Sequence, residues 1–405
     1  MPKQLKMNET FLEAVPILRR LQENEYEAYF VGGSVRDALL GKEIEDVDIA
    51  TSAFPEEVKS LFTRTIDVGI EHGTVMVLFE GQSYEITTFR TESEYQDYRR
   101  PDHVTFVRSL EEDLKRRDFT INALAMDENG HIIDYFNGME DMSHRLIKAV
   151  GEPSERFYED ALRMMRAVRF QAQLDFHLDE KTFAAIKEHH SLLEKISVER
   201  IQVEFTKMML GQGYKKGIQS FIDSGLYRYC PELRGEKEAL EKMCRLNGPL
   251  TSTIQMWTLL LHFIGLSPEE VEPFMRKWKC SKKEISTVKK ALIGLSERLQ
   301  SLPSNRYVFE MGLDVGLEVE RMLELLHQDA LPERIQQIYQ QLPIQRRNEL
   351  AVNGNELMTH LNKKAGKWLG PLLDELERAV VEMEVENEKH ALLQTAETWT
   401  VNEEK

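Results

Sequence analysis

The chain has 405 residues, 41% hydrophobic and 30% charged, the make-up of a folded globular protein with room for more than one core. No apolar run is long enough to span a bilayer, and Met1-Pro2-Lys3-Gln4 opens no signal-peptide core. The net charge of −17 speaks against a diffuse grip on nucleic acid but not against local basic patches, because phosphate binding follows local potential rather than the sum.

The first third alternates helix and strand signals. Helical periodicity runs over Phe11 to Leu21, and Ala28-Tyr29-Phe30-Val31 is a short strand ending at two glycines. Val35 to Leu40 is helical, Val47-Asp48-Ile49-Ala50 is a strand, and Pro55 to Phe62 is a helix with Thr51 and Ser52 as cap candidates. Val75 to Phe79 and Tyr84 to Phe89 flank Glu80-Gly81-Gln82 as a hairpin. From about Arg156 the strand signals fade, and helical windows follow one another to the end. They are punctuated by Gly211, Gly213, Gly225, Pro231, Gly248-Pro249, Pro303 and Gly354. The expected fold class is α+β, an α/β head followed by an all-α remainder. Cys230, Cys244 and Cys280 are widely spaced and form no metal-ligand pattern, which points to a reducing cytoplasm.

Three short segments carry chemistry. Asp46 and Asp48, two apart on a strand, share a face and can hold Mg²⁺, a hard ion that also takes substrate phosphates. Alone, Asp-x-Asp is weak evidence and more often a solvated strand end. After Gly32-Gly33-Ser34-Val35-Arg36-Asp37 it reads as the metal pair of a nucleotidyl-transfer site, with Glu85 on a separate strand as the third carboxylate. Gly33 lets the backbone approach a triphosphate, and Arg36 is placed to pair with its oxygens. Arg117, in Lys115-Arg116-Arg117-Asp118, is a further triphosphate ligand with Asp118 to orient it; by itself the segment is also a solvated basic turn at a helix start.

Within Glu159-Asp160-Ala161-Leu162-Arg163-Met164-Met165-Arg166-Ala167-Val168-Arg169, helical spacing puts Asp160 and Arg163 on one face, with Arg166 and Arg169 continuing the stripe. A carboxylate beside a guanidinium offers an acceptor next to donors. Cytosine and adenine each present an amino donor beside a ring-nitrogen acceptor and match that pair. Uracil and guanine present the opposite order and would leave buried groups unpaired. The plain alternative is an intrahelical salt bridge. Beside the metal motif, base reading is the stronger interpretation.

Together, Gly32-Gly33-x-Val35-Arg36-Asp37-x-Leu39-Leu40-Gly41, Asp46-Val47-Asp48, Arg116-Arg117-Asp118-Phe119-Thr120-x-Asn122-Ala123 and Glu159-Asp160-x-x-Arg163-x-x-Arg166 resemble the class II tRNA nucleotidyltransferases. These are the CCA-adding enzymes, which share their head with bacterial poly(A) polymerases. Asn348 to Gly354 resembles a tail segment of the Bacillus-type members and extends the likeness over nearly the whole chain. The resemblance implies a polymerase-β-like head over 1–148, a base-reading neck over 149–210, a helical body over 211–280 and a tRNA-binding tail over 281–405. It implies addition of C, C and A to the 3′ end of tRNA from CTP and ATP, with Mg²⁺ on Asp46 and Asp48. Gly33, Arg36, Arg117, Asp160, Arg163, Arg166 and Arg169 would then contact the nucleotide in one shared pocket. Expected partners are the tRNA 3′ end and acceptor arm, with no membrane; homodimers are common in the family. The same motifs serve CC-adding and A-adding half-enzymes and poly(A) polymerases. Thr91 to Pro101 resembles the flexible loop that CC-adding members lack, and the acidic C-terminus differs from the basic extension of many poly(A) polymerases, so full CCA addition is the expectation. The body segment Gly235 to Leu266 matches no motif.

Overall fold

The computed structural model describes residues 4–44, 46–69, 73–92 and 104–403. The chain divides into two compact units, 1–244 and 245–405.

The first unit opens with α1 (Glu9–Gln22), capped by the Asn8 side chain accepting from the Phe11 amide at 3.2 Å. Its buried stripe of Phe11, Ala14, Leu18 and Leu21 follows the helical period, and Phe11 meets Phe30 edge-on with ring centroids 4.9 Å apart. Then come β1 (Ala28–Val31), α2 (Gly33–Leu39), β2 (Asp48–Thr51), α3 (Pro55–Leu61), β3 (Thr65–Gly69), β4 (Thr74–Phe79) and β5 (Gln82–Thr88). After β6 (Arg90–Glu92) and β7 (Val104–Phe106), which pair with each other, the chain continues through α4 (Leu110–Lys115), β8 (Leu124–Met126), β9 (Ile132–Asp134), α5 (Gly138–Ser143) and β10 (Leu146–Ile147).

Seven strands form one mixed sheet in the order β3-β4-β5-β2-β1-β8-β9. The hairpin between β4 and β5 turns at Glu80 and Gly81, whose φ values of 50° and 88° suit a two-residue turn that follows the twist of the strands. On one face of the sheet Val31, Ala50, Phe89, Ala123 and Ala125 pack against Leu110 and Leu114 of α4. This face matters because Asp48 stands opposite Val31 in the β1–β2 register and two residues before Ala50, and so shares it.

The cap of α3 differs from expectation. Ser52 and Thr51 instead bind the Glu27 backbone, Ser52 Oγ accepting from its N–H at 2.9 Å and Thr51 Oγ1 donating to its carbonyl at 2.7 Å. The first turn is closed by Glu57, whose carboxylate accepts from the Phe54 amide at 2.6 Å, with Pro55 at the first helical position. The edge strand β3, a half-exposed element without a clean alternation, carried no usable signal.

The rest of this unit is helical: α6 (Pro153–Glu159), α7 (Leu162–Leu174), α8 (Glu180–His189), α9 (Val198–Met209), α10 (Tyr214–Asp223) and α11 (Lys237–Met243), interrupted by β11 (His177–Leu178) beside β10. Helix α7 is buried on nearly every side and packs against α9 and α10.

The second unit is all-helical: α12 (Thr253–Ile264), α13 (Pro268–Lys277), α14 (Lys282–Arg298), α15 (Asn305–Leu325, leaving helical geometry at Gly312), α16 (Pro332–Gln341), α17 (Gly354–His360), α18 (Leu369–Val381) and α19 (Lys389–Glu403). Arg298 and Glu320 form a buried two-point ion pair between α14 and α15, at 2.7 and 3.1 Å, and Glu320 also accepts from the Leu331 amide at 2.6 Å. No helix among the described residues is long and apolar enough to cross a membrane, and the three cysteines are free.

Candidate active site

Strand β1 ends where antiparallel β2 begins, so the turn at Gly32 lies beside Asp48. Gly32 has φ 73° and ψ −130°, and a Cβ there would stand 2.8 Å from Arg117 Nη1 and 3.9 Å from Asp48 Oδ2. Only glycine allows this turn with Arg117 and Asp48 so close. A Cβ on Gly33 would meet Arg36 Nη2 at an ordinary 3.7 Å, so of the two glycines Gly32 is the one the backbone requires.

Asp48 is the first residue of β2, and Asp46 precedes the strand rather than lying on it. Strand β2 pairs in parallel with β5 with Asp48 opposite Glu85, which places the two carboxylates side by side on one sheet face. Desolvation by the cleft walls pushes the Asp48 carboxyl above its ordinary value; Arg117 opposes this and Asp46 adds to it. A hard divalent cation would relieve that crowding of negative charge, and the oxygen donors suit one. Among the described residues no three His, Cys, Asp or Glu side chains converge on a ready-made metal cage. Mg²⁺ is usually held by one or two carboxylates and completed by substrate phosphates, so these residues fit it.

Asp48 opens onto a cavity of about 410 Å³, whose lining includes neither Asp46 nor Glu85. Gly32, Gly33 and Asp48 line one part; Asp160, Asn122 and Phe170 line others; and Arg36, Arg116, Arg117, Arg163, Arg166 and Arg169 supply the positive charge. The arginines are held by an alternating chain of partners. Arg36 bonds Asp37 at 2.7 and 2.9 Å and the Asn122 side-chain oxygen at 2.5 Å. Asn122 donates to Asp118 at 2.9 Å, and Asp118 accepts from Arg166 Nε at 2.7 Å. Glu204 lies 3.8 Å from Arg166 and 2.7 Å from Arg169 Nε. Phe170 sits under three guanidinium groups, Arg169, Arg36 and Arg166, at 3.7, 5.0 and 5.3 Å.

The electrostatics follow from this chain. Burial alone would raise the Asp118 carboxyl, but Arg166 and the Asn122 hydrogen bond bring it down to about 2. Arg166 is raised despite its burial because Asp118 and Glu204 face it. Burial lowers Arg169 to about 10, with Glu204 opposing and Arg166 reinforcing the shift.

Two expected local arrangements differ. Asp118 orients Arg166, not Arg117. Arg117 and Arg116 are instead held by the buried Asp113 one turn earlier on α4, at 3.1 and 2.8 Å. The Lys115-Arg116-Arg117 segment is thus a helix end, not a helix start. Nor is 159–169 a single helix: α6 ends at Glu159, Asp160 is extended (φ −140°, ψ 102°), and α7 starts at Leu162. Asp160 Oδ1 accepts from the Leu162 amide at 3.0 Å and Oδ2 from Arg200 at 2.7 Å. Arg163 donates to Glu159 at 2.5 Å and to the carbonyls of Arg156 and Arg116 at 3.1 and 2.8 Å. Asp160 and Arg163 line the same cavity, each steadied by other partners. Asp113, Phe170, Arg200 and Glu204 were not singled out by sequence reasoning. For Asp113, the spacing of three and four residues to Arg116 and Arg117 was the available signal. Most of the segment Thr91 to Pro101, including Asp97, Tyr98, Arg99 and Arg100, lies outside the described residues.

Family models match three stretches: the Poly A polymerase head domain at 28–148, the probable RNA and SrmB-binding site of polymerase A at 175–236, and the putative tRNA nucleotidyltransferase domain 2 at 249–396. The chain is 52% identical over 387 residues to the CCA-adding enzyme of Enterococcus faecalis, covering 95% of each. It is 49% identical over 391 residues to that of Limosilactobacillus reuteri, covering 96% of this chain and 97% of the relative. The crystal structure of the Bacillus stearothermophilus CCA-adding enzyme in complex with CTP matches with a TM-score of 0.92 at 43% identity, over 98% of this chain and 99% of that one. With identity at this level sustained from the carboxylate strands to the last helices, the chain belongs to the CCA-adding enzymes, a family of nucleotidyltransferases.

Proposed function

We propose that this chain adds C, C and A in turn to the 3′ end of tRNA, drawing on CTP and ATP, releasing pyrophosphate and using no nucleic-acid template. The observation that carries this reading is a single cavity. It joins the Asp48 edge of the sheet to Asp160 and Arg163, and five further arginines line it. A nucleoside triphosphate needs positive charge around its phosphates and donors and acceptors at its base, and the cavity lining offers both.

In this reading Asp46 and Asp48 hold Mg²⁺, which when bound would polarise the α-phosphate and stabilise the leaving pyrophosphate. Glu85, beside Asp48, completes the carboxylate edge at which the tRNA 3′ hydroxyl is positioned. The hydroxyl oxygen gives up its proton to a carboxylate of that edge and forms the new bond to the α-phosphorus as the bond from that phosphorus to the bridging oxygen of the leaving pyrophosphate breaks. The Gly32-Gly33 turn with Arg36 and Arg117 seats the triphosphate. Asp160 accepts from the exocyclic amine of cytosine or adenine while Arg163 donates to the adjacent ring nitrogen, and Arg166 and Arg169 fix the far wall. One pocket thereby accepts both C and A and leaves uracil and guanine with mismatched donors and acceptors. Residues 1–148 act as catalytic head and 149–210 as base-reading neck, while 211–280 and 281–405 serve as body and tail that grip the acceptor arm through its backbone. Such binding weakens as salt rises. Acting on tRNA, the protein would work in the cytoplasm.

The test is incorporation on tRNA lacking its 3′ end, resolved to single nucleotides, with CTP, ATP or both. C, C, A and then a stop supports the reading. A stop after CC, an added A only, or a growing A ladder would replace it with a half-enzyme or a poly(A) polymerase.

A further inference from the structure

Helix α9 carries two charged residues one turn apart, Arg200 and Glu204, and both reach across to residues that line the cavity. Glu204 faces Arg169 and Arg166. Arg200 donates to Asp160 Oδ2 at 2.7 Å. Arg200 is also in an unusual place. It is the third residue of α9 after the Ser197 cap, where the helix dipole disfavours a cation and where Glu or Gln is the usual choice. Helix formation alone does not explain an arginine there; its bond to Asp160 does.

We infer that Arg200 is a positioning residue for base selection, acting through Asp160. The inference rests on the base-reading role proposed above for Asp160 and adds a residue to it. A carboxylate has about four lone-pair sites. The Leu162 amide takes one on Oδ1 and Arg200 takes one on Oδ2, so the group is held at both oxygens and cannot turn about its terminal torsion. The remaining lone pairs then stand at fixed places on the cavity wall. An amino group of cytosine or adenine finds an acceptor there, and the carbonyl of uracil or guanine meets one it cannot use. Without Arg200 only Oδ1 is tethered. The carboxylate can then swing or admit a water that offers a hydrogen to a carbonyl, and the wrong bases lose their penalty.

The test compares wild type, D160A, R200Q, R200A, R200K and the double variant D160A/R200Q. Single-turnover incorporation of CTP, ATP, UTP and GTP is measured on tRNA lacking its 3′ end, with tRNA Kd and thermal melting alongside. The Arg200 side chain is about one-third exposed (31%), so its replacement does not open a core. The expected result is a fall of about tenfold or more in the CTP/UTP and ATP/GTP ratios for R200Q and R200A. R200K, which keeps a cationic donor, should restore the ratios, and R200Q should add nothing in the D160A background. A purely structural role would lower the melting temperature or all four rates together and leave the ratios unchanged, which overturns the inference. Wild-type ratios in R200Q with lost ratios in D160A would remove Arg200 but keep base reading. Wild-type ratios in D160A would remove both.

Discussion

Asp48 and Glu85 stand opposite each other across the parallel pairing of β2 and β5, on the sheet face that carries the Gly32 turn at its edge. The sheet order makes this meeting unavoidable. Strand β5 is brought back beside β2 by the β4–β5 hairpin, and β2 is antiparallel to β1, whose end is the Gly32-Gly33 turn. Asp46 lies just before the strand, but among the described residues no three such side chains converge, so the strand pairing itself brings together only Asp48 and Glu85.

The first prediction concerns these carboxylates. D46N and D48N should each lower the rate of incorporation by about a hundredfold or more, while tRNA Kd and the melting temperature stay near wild type. Chelation of divalent ions should abolish turnover, and added Mg²⁺ should restore it. Activity that survives both substitutions would show that the metal lies elsewhere.

Gly32 and Gly33 should behave differently. G32A forces a side chain into φ 73°, ψ −130° and against Arg117, at a cost of about 1–3 kcal/mol. It should raise the KM for both nucleotides through the displaced guanidinium. G33A meets only an ordinary contact with Arg36 and should be far milder in stability. Melting curves and nucleotide KM values for the two proteins check this; equal effects would contradict the assigned backbone roles.

Asp118 gives a pH prediction. Its carboxyl falls from an ordinary 3.8 to about 2 in the folded protein. A depressed pKa contributes stability that is present above 3.8 and disappears as pH falls through about 2. The loss attributable to this group is about 2 kcal/mol. Unfolding of wild type and D118N between pH 5 and 2 should therefore converge as pH falls. Parallel curves would show that Arg166 does not hold this carboxylate.

In the second unit, E320A leaves Arg298 buried without its counter-charge and the Leu331 amide without its acceptor. Destabilisation of that unit by about 3–5 kcal/mol is expected. Denaturant unfolding followed by a probe in residues 245–405 reads it, and a change under 1 kcal/mol would show that the pair is dispensable.

Much of this site was legible in the chain because its motifs are local. The Gly-Gly turn, Asp48 at the start of its strand with Asp46 just before it, and the arginines of α7 lie in short segments that one turn, one strand start and one helix hold. What escaped was set by partners distant in sequence. Arg200 and Glu204 of α9 pair with Asp160 and Arg169 of the cavity wall from 40 and 35 residues later in the chain, and Ser197-Val198-Glu199-Arg200 reads as an ordinary helix start. Asp118 was assigned to Arg117 because the two are adjacent, yet the helix end at Lys115 turns Arg117 back toward Asp113 and leaves Asp118 for Arg166. The break at Asp160 was hidden because the sequence around it has helical periodicity on both sides; it contains neither glycine nor proline.

The most direct test of the central claim, one pocket serving both nucleotides, is equilibrium competition. Labelled CTP is bound to the protein with Mg²⁺ and then titrated with ATP. One nucleotide per chain is expected, with full displacement of CTP by ATP, little displacement by UTP or GTP, and loss of both CTP and ATP binding in R163A. Two nucleotides bound together, or ATP binding that leaves CTP in place, would contradict it.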